Sequence, residues 1–196
     1  MNALKVIIRS TSLVAVLILG MQQQVMAAEN ATTNTMPKFL ATTSSAPYLS
    51  ITKSSRFSWL FEDVDIKADA PVTKKGIQTI VKEEIEKVML TKGLTVAESG
   101  KPSDFFIAYT AATESTLDDD MLFKRYKISP GYKVPNDGSQ VYEKGTLLIH
   151  VINANTRQTV WQSAAQGGVQ ENISDAQRRI NINKIVTVML RGLPVK

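Results

Sequence analysis

The chain has 196 residues, a formal charge of +5, one histidine and no cysteine. With 43% hydrophobic and 21% charged residues it has the balance of a folded chain, and the length favours one domain. The absence of cysteine excludes disulfides, thiolate zinc sites, iron–sulfur clusters and cysteine nucleophiles, and a lone histidine excludes a multi-histidine metal site.

Met1 to Arg9 carries Lys5 and Arg9 without an acid, and every residue from Leu13 to Leu19 is apolar. Gly20, a glutamine triplet and Val25-Met26-Ala27-Ala28 follow. A basic start, a short apolar run and small residues before a cut are the layout of a secretory signal. Residues 1–28 are therefore expected to be a cleavable signal peptide, cut after Ala27 or Ala28. A spanning helix needs about 20 apolar residues, and Arg9 and Gln22 bracket a shorter run. The mature chain is expected to be soluble, without a transmembrane helix. A covalent lipid anchor would require a cysteine after the signal.

Loss of Lys5 and Arg9 reduces the basic residues from 23 to 21 against 18 acids, so the mature charge becomes +3. Lys74-Lys75, Lys124-Arg125 and Arg178-Arg179 are isolated pairs near acids. They read as solvated surface, not as the continuous basic stripe of a nucleic-acid protein.

Residues 29–47 are rich in Thr, Ser, Ala and Asn and read as a flexible leader, with a single domain over 48–196. Tyr48, Ile51, Phe57, Trp59 and Phe61 give a broken alternation: one strand, or two short ones, ending near Phe61. Pro71 to Lys92 reads as a helix, because Ile77, Ile80, Val81, Ile85, Val88 and Met89 line one face. Glu83 and Lys87 are spaced for a pair on its far side, and Gly93 suits the left-handed residue that ends many helices. Leu94-Thr95-Val96 is a short strand and Phe105 to Tyr109 a buried one. Residues 113–140, with Asp118-Asp119-Asp120, Ser129-Pro130-Gly131 and Pro135-Asn136-Asp137-Gly138, read as a long loop or excursion.

Val141–Ile152 and Gln158–Val169 form an antiparallel hairpin around the Asn153–Arg157 turn. A last helix starts at Ser174, where Ser174-Asp175-Ala176-Gln177 matches a capping box. Its buried stripe is Ile182, Ile185, Val186, Met189 and Leu190, and Gly192 and Pro194 end it. The expected fold class is α+β: an antiparallel-rich β-sheet with two amphipathic helices packed on one face, a two-layer sandwich.

No catalytic constellation is found. His150 shares a strand face with Leu148 and Ile152 and reads as a partly buried or surface histidine, since no nucleophile motif accompanies it. Three consecutive aspartates lack the alternation of a calcium loop and read as a solvated acidic loop. Gln166-Gly167-Gly168-Val169 lacks the lysine and spacing of a phosphate loop and reads as a strand-end bulge or turn. Glu62, Asp63 and Asp65 cluster without the defined separation that glycoside hydrolysis needs. Trp59 and Trp161 read as packing residues. Catalytic, cofactor-binding and metal-ligating residues are each expected to be none.

An ordered set of segments resembles a bacterial envelope family, domain of unknown function 4136, often found on lipoproteins. The segments are Arg56-Phe57-Ser58-Trp59-Leu60, Lys92-Gly93-Leu94, Pro102 to Tyr109, Tyr142 to Ile149, Val160 to Ala165 with Gly168, and the Arg178–Pro194 helix. The resemblance covers residues 48–194 and implies an exported domain of mixed helix and sheet. It brings no established activity and no residue roles. Two departures stand out: the lipobox cysteine is absent, and Gln162-Ser163 follows Trp161 where Arg-Gly is common. The first points to the free periplasm of a Gram-negative bacterium.

The functional expectation is an exported, noncatalytic binding or envelope-support module whose partner is an envelope protein or a hydrophobic ligand. The alternatives are a carrier of a lipid or other hydrophobic ligand, held between sheet and helices under the 113–140 loop, and a hydrolase using the loop carboxylates.

Overall fold

The computed structural model describes residues 38–60, 74–113, 117–134, 143–170 and 173–196, the side chains of residues 74 and 75 excepted. The signal segment with both cleavage positions, residues 29–37, Phe61, the Glu62-Asp63-Asp65 cluster, Pro71 and the Pro135–Gly138 turn signals lie outside the described residues.

Among the described residues the order is β1 (Phe39–Ser45), β2 (Arg56–Trp59), α1 (Lys74–Thr91), β3 (Thr95–Val96), β4 (Phe105–Thr113), α2 (Asp119–Tyr126), β5 (Lys144–Asn153), β6 (Thr159–Gly168) and α3 (Asp175–Arg191). The strands form one sheet in the order β1-β6-β5-β4-β2-β3. β1, β6, β5 and β4 are joined antiparallel, whereas β4–β2 and β2–β3 are parallel.

The α+β class is as expected, but the sheet is mixed rather than antiparallel-rich. The reason is α1. A helix between two paired strands carries the chain back to the starting end of the sheet, so β3 and β4 re-enter parallel to β2.

The helix count among the described residues also differs, three rather than two. Residues 119–126, expected as loop, form α2. Asp118 caps it, its Oδ1 accepting from the Met121 amide at 2.7 Å, and Lys127 closes it in a left-handed conformation at φ 57°. Leu122 and Ile128 pack with Ala112, Leu148 and Ala164. These strand residues alternate with Ile149 and Ala165, which pack with α1 and α3. Because successive strand side chains point to opposite faces, α2 covers the face away from the other helices.

The leader also needs correction, because residues 39–45 are a strand. β1 pairs with β6 along its whole length, from Phe39 opposite Gly167 to Ser45 opposite Trp161. Ser163 Oγ donates to the Thr42 carbonyl at 2.9 Å. Beyond β1, the expected strand at Ile51 is reduced to an isolated parallel bridge with Val195, flanked by Lys196 N–Ile51 O at 2.9 Å and Lys53 N–Lys196 O at 3.0 Å.

The two long helices follow their sequence signals. Val81, Ile85, Val88 and Met89 of α1 and Val186, Met189 and Leu190 of α3 are buried in one core, with Ile77, Ile182 and Ile185 partly buried against it. Gly93 follows α1 at φ 89°, and Ser174 caps α3 by accepting from the Gln177 amide at 3.2 Å. Glu83 does not turn to Lys87 but crosses to Arg179 of α3, at 2.6 Å. Glu84, only 3% exposed, accepts from Arg179 at 3.1 Å and from Asn183 at 2.6 Å. A charged strip therefore joins the helix pair on the rim of an apolar contact.

Trp161 is buried and Trp59 half-buried, both in the core as expected. Trp59 lies edge-on to Phe57 and Tyr109, with ring centroids 6.3 and 6.0 Å away. Tyr109 donates to the Gln78 carbonyl at 2.9 Å, and burial pushes its phenol up to about 12.

Candidate functional site: an apolar cavity between sheet and helices

On the face under α1 and α3, side chains of neighbouring strands fall into cross-strand rows. One row is Ile107, Val151 and Trp161, and the next is Tyr109, Ile149 and Ser163. Volume then falls away. The third row is Ala111, Leu147, Ala165 and Ala41, and the fourth is Thr113, Gly145, Gly167 and Phe39. Helices sit on a sheet at a spacing set by their largest contacts, so small residues at one end leave a gap.

That gap is a cavity of about 210 Å³. Ile77 and Val81 of α1 and Ile182 and Ile185 of α3 form its roof, and the alanine–glycine end of the sheet forms its floor. Val169 and Phe39 close its side by folding over glycines. A Cβ on Gly145 would lie 2.6 Å from Val169 Cγ2, and one on Gly167 would lie 3.0 Å from Phe39 Cβ. The Gln166-Gly167-Gly168 segment is thus regular strand, not the bulge or turn expected; the register shift in this ladder lies at Val151/Ile152.

The rim is polar. Arg178, Asn181, Gln170 and Glu143 line it. Asn181 accepts from Gln177 at 2.9 Å and donates to Gln170 at 3.2 Å. Arg178 was expected as solvated surface, yet it is 8% exposed. The sequence places it one residue from the exposed Arg179 and gives no sign that α3 turns it inward.

On the opposite face the acidic run has structural partners. Asp119 takes Lys144 Nζ at 3.0 Å and Gln166 Nε2 at 2.6 Å; Asp120 faces Lys124 at 3.8 Å; Asp118 is the cap of α2. Burial by itself raises the Asp119 carboxyl, but the hydrogen bonds from Gln166 and Lys144 outweigh it and hold the group below its ordinary value. Lys144 is 5% exposed, so this pair fastens α2 to the sheet. Replacing Asp119 with alanine is expected to cost about 1–2 kcal/mol in urea unfolding. A fully buried pair would cost about 3–5 kcal/mol, discounted here because the Asp119 side chain is 43% exposed. An unchanged midpoint would show that the bridge does not hold the helix.

His150 is partly buried, on the face shared with Leu148 and Ile152 as expected. Its ring lies against Tyr126 of α2, the centroids 5.3 Å apart and the planes tilted by 44°. Its Nδ1 is buried without a partner among the described residues. Among those residues no three acids or histidines group to hold a metal ion.

The fold and cavity define a small domain with a helix pair on one face of a mixed sheet and an apolar seat between them. The domain of unknown function DUF4136 matches residues 46–195, and the chain belongs to that family. A crystal structure of a DUF4136 family protein from Bacteroides thetaiotaomicron is similar at 16% identity and a TM-score of 0.52, over 80% of this chain and 96% of that one. A PelC dodecamer from Paraburkholderia phytofirmans is similar at 10% identity and a TM-score of 0.45, over 81% and 99%. A PDZ domain protein from Parabacteroides distasonis is similar at 14% identity and 0.49, over 81% of this chain and 36% of that one. No curated protein matches. No helix among the described residues is long and apolar enough to cross a membrane.

Proposed function

We propose that this protein is an exported, noncatalytic binding module of the bacterial cell envelope, free in the periplasm, that holds an apolar ligand between its sheet and its helix pair. The observation that carries the reading is the cavity of about 210 Å³. An enclosed apolar cavity of about 150 Å³ in another protein takes up benzene, and this gap, open on one side and lined mainly by hydrocarbon, has room for an apolar group of that order. Export is supported by the basic, apolar and small-residue layout of residues 1–28 and a free rather than anchored state by the missing cysteine. The noncatalytic reading is supported by the aspartates, whose carboxylates cap a helix or face a cation rather than the cavity. This moves the hydrophobic-ligand alternative into the leading place. The cavity lies under α1 and α3, on the sheet face away from α2, and so not beneath the helical part of the 113–140 segment, under which a ligand pocket was expected.

Native mass spectrometry of protein recovered from the periplasm tests both halves at once. The expected mass begins at Ala28 or Glu29 and includes a retained apolar ligand, which Leu147→Trp, filling the floor, releases without unfolding the domain. Recovery of the chain in the cytoplasm, starting at Met1, would overturn export. A mature chain that carries and accepts no apolar molecule would overturn the cavity as a ligand site.

A further inference from the structure

We infer that the outer edge of β1 is a self-association surface, pairing with β1 of a second copy of this chain so that two sheets join across a two-fold axis. The pairing does not depend on the cavity holding a ligand. β1 is the end strand of the sheet, seven residues of Phe-Leu-Ala-Thr-Thr-Ser-Ser without a charge or a proline. A long, uncharged edge strand is a template for another strand, and proteins ordinarily blunt such edges. The opposite end of this sheet is blunted, because β3 is two residues long. Among the described residues, β1 is the end that offers a full strand of backbone.

The hydrogen-bonding parity of β1 suits a copy of itself. The Ala46 amide donates to the Val160 carbonyl at 2.8 Å, and the Thr42 carbonyl accepts from Ser163, so the even-numbered residues turn their backbone inward to β6. Phe39, Ala41, Thr43 and Ser45 therefore turn theirs outward, and these positions are symmetric about Thr42. Two antiparallel copies centred on Thr42 set Phe39 opposite the second copy's Ser45 and Ala41 opposite its Thr43, so that each outward N–H and C=O meets a partner. Thr42 then faces its own counterpart on the axis, a favourable cross-strand pair. Leu40, 49% exposed, comes to lie against the second copy's Ser44 and Thr42. Lys38, the charge that adjoins the strand in sequence, stands roughly 27 Å from its counterpart, well beyond a Debye length of about 8 Å. Pairing consumes the same edge in both copies, and β3 is too short to take up a further strand, so the assembly closes at two.

Sedimentation equilibrium of the purified protein at micromolar concentrations and above is expected to give twice the chain mass. Ala41→Pro removes an outward N–H and spares the ladder to β6, and Thr42→Lys sets two like charges on the axis. Each is expected to halve the mass while the far-ultraviolet circular dichroism stays that of the folded chain. The chain has no cysteine, so single cysteines report the register. The Cα atoms of a non-hydrogen-bonded antiparallel pair are about 4.5 Å apart, within the range of about 4.4–6.8 Å that a disulfide spans. Thr42→Cys is expected to link to its copy on mild oxidation, whereas Ser44→Cys, on the order of 13 Å from its counterpart, is not. A monomeric native protein, or a dimer that survives either Ala41→Pro or Thr42→Lys, overturns the edge pairing. Cross-linking of Ser44→Cys as fast as Thr42→Cys overturns the two-fold register, and mass growing beyond two chains overturns the closed pair.

Discussion

Replacing Trp161 with alanine is expected to lower the unfolding free energy by about 3–5 kcal/mol, the range for deleting a large buried aromatic. Trp161 is 1% exposed and shares its cross-strand row with Ile107 and Val151, each fully enclosed. Its indole N–H donates to the Gly192 carbonyl at 3.2 Å, which ties the sheet to the end of α3. Truncation therefore opens a cavity at the centre of the core and removes the contact that fixes the helix terminus. With a urea slope of roughly 2 kcal/mol/M, the midpoint should fall by about 2 M. Trp161→Phe keeps most of the ring volume and should cost about 1–3 kcal/mol, the penalty for a carbonyl left without its donor. A midpoint unmoved in the alanine variant would mean that the core is organised around other residues.

The second large effect is pH-dependent and centres on His150. Burial first, and then the charge of Arg125, push its imidazole down from 6.5 to about 4. The ring lies against Tyr126, and Gln162, paired with His150 across the ladder, spends its amide on the Tyr126 carbonyl at 2.8 Å. The neutral ring fits this place and the charged ring does not. In the unfolded chain His150 takes up a proton near 6.5, whereas in the folded chain it does so only near 4. Between those values the unfolded state binds more protons, so stability rises with pH. The contribution is fully present above 6.5 and is lost as pH falls towards 4. At 1.36 kcal/mol per unit, and discounted for partial exposure, it amounts to about 2–3 kcal/mol. Urea unfolding of the native protein and of His150→Phe, which keeps a ring against Tyr126, should give stabilities that diverge by this amount between pH 4 and 6.5. Parallel curves would exclude the histidine as the cause.

What could be read from the chain in advance follows the strength of each local signal. α1 and α3 were legible because their apolar residues recur at one-face spacing and their ends carry Gly93 and the Ser174 cap. The β5–β6 hairpin was legible from its turn: Asn153 Oδ1 accepts from the Asn155 and Thr156 amides, both at 2.9 Å. α2 was not, because Leu122 is the buried residue of a helix that otherwise shows water its aspartates and basic residues. β1 was hidden for another reason. Phe-Leu-Ala-Thr-Thr-Ser-Ser has no alternation to announce a face, and what makes it a strand is the open edge of β6. The parallel pairs are set by the path of α1 over the sheet, a property of the whole chain. The cavity was equally invisible: its small floor residues come from β4, β5 and β6 and become one surface only when the register aligns them. Arg178 illustrates the same limit, since a one-residue step around a helix separates the exposed Arg179 from a buried cation.

The pairing of β1 with β6 also bears on how the chain is made. Roughly 120 residues separate the two strands, and at synthesis rates of about 5–20 residues per second the first waits on the order of 6–24 s for the second to exist. The Ile51–Val195 bridge and the hydrogen bonds to Lys196 set in place only with the last residues. The first strand of the domain is thus among the last to be secured. Until then it is an uncharged segment with every backbone donor and acceptor unspent, a natural handhold for the chaperones that shepherd nascent chains.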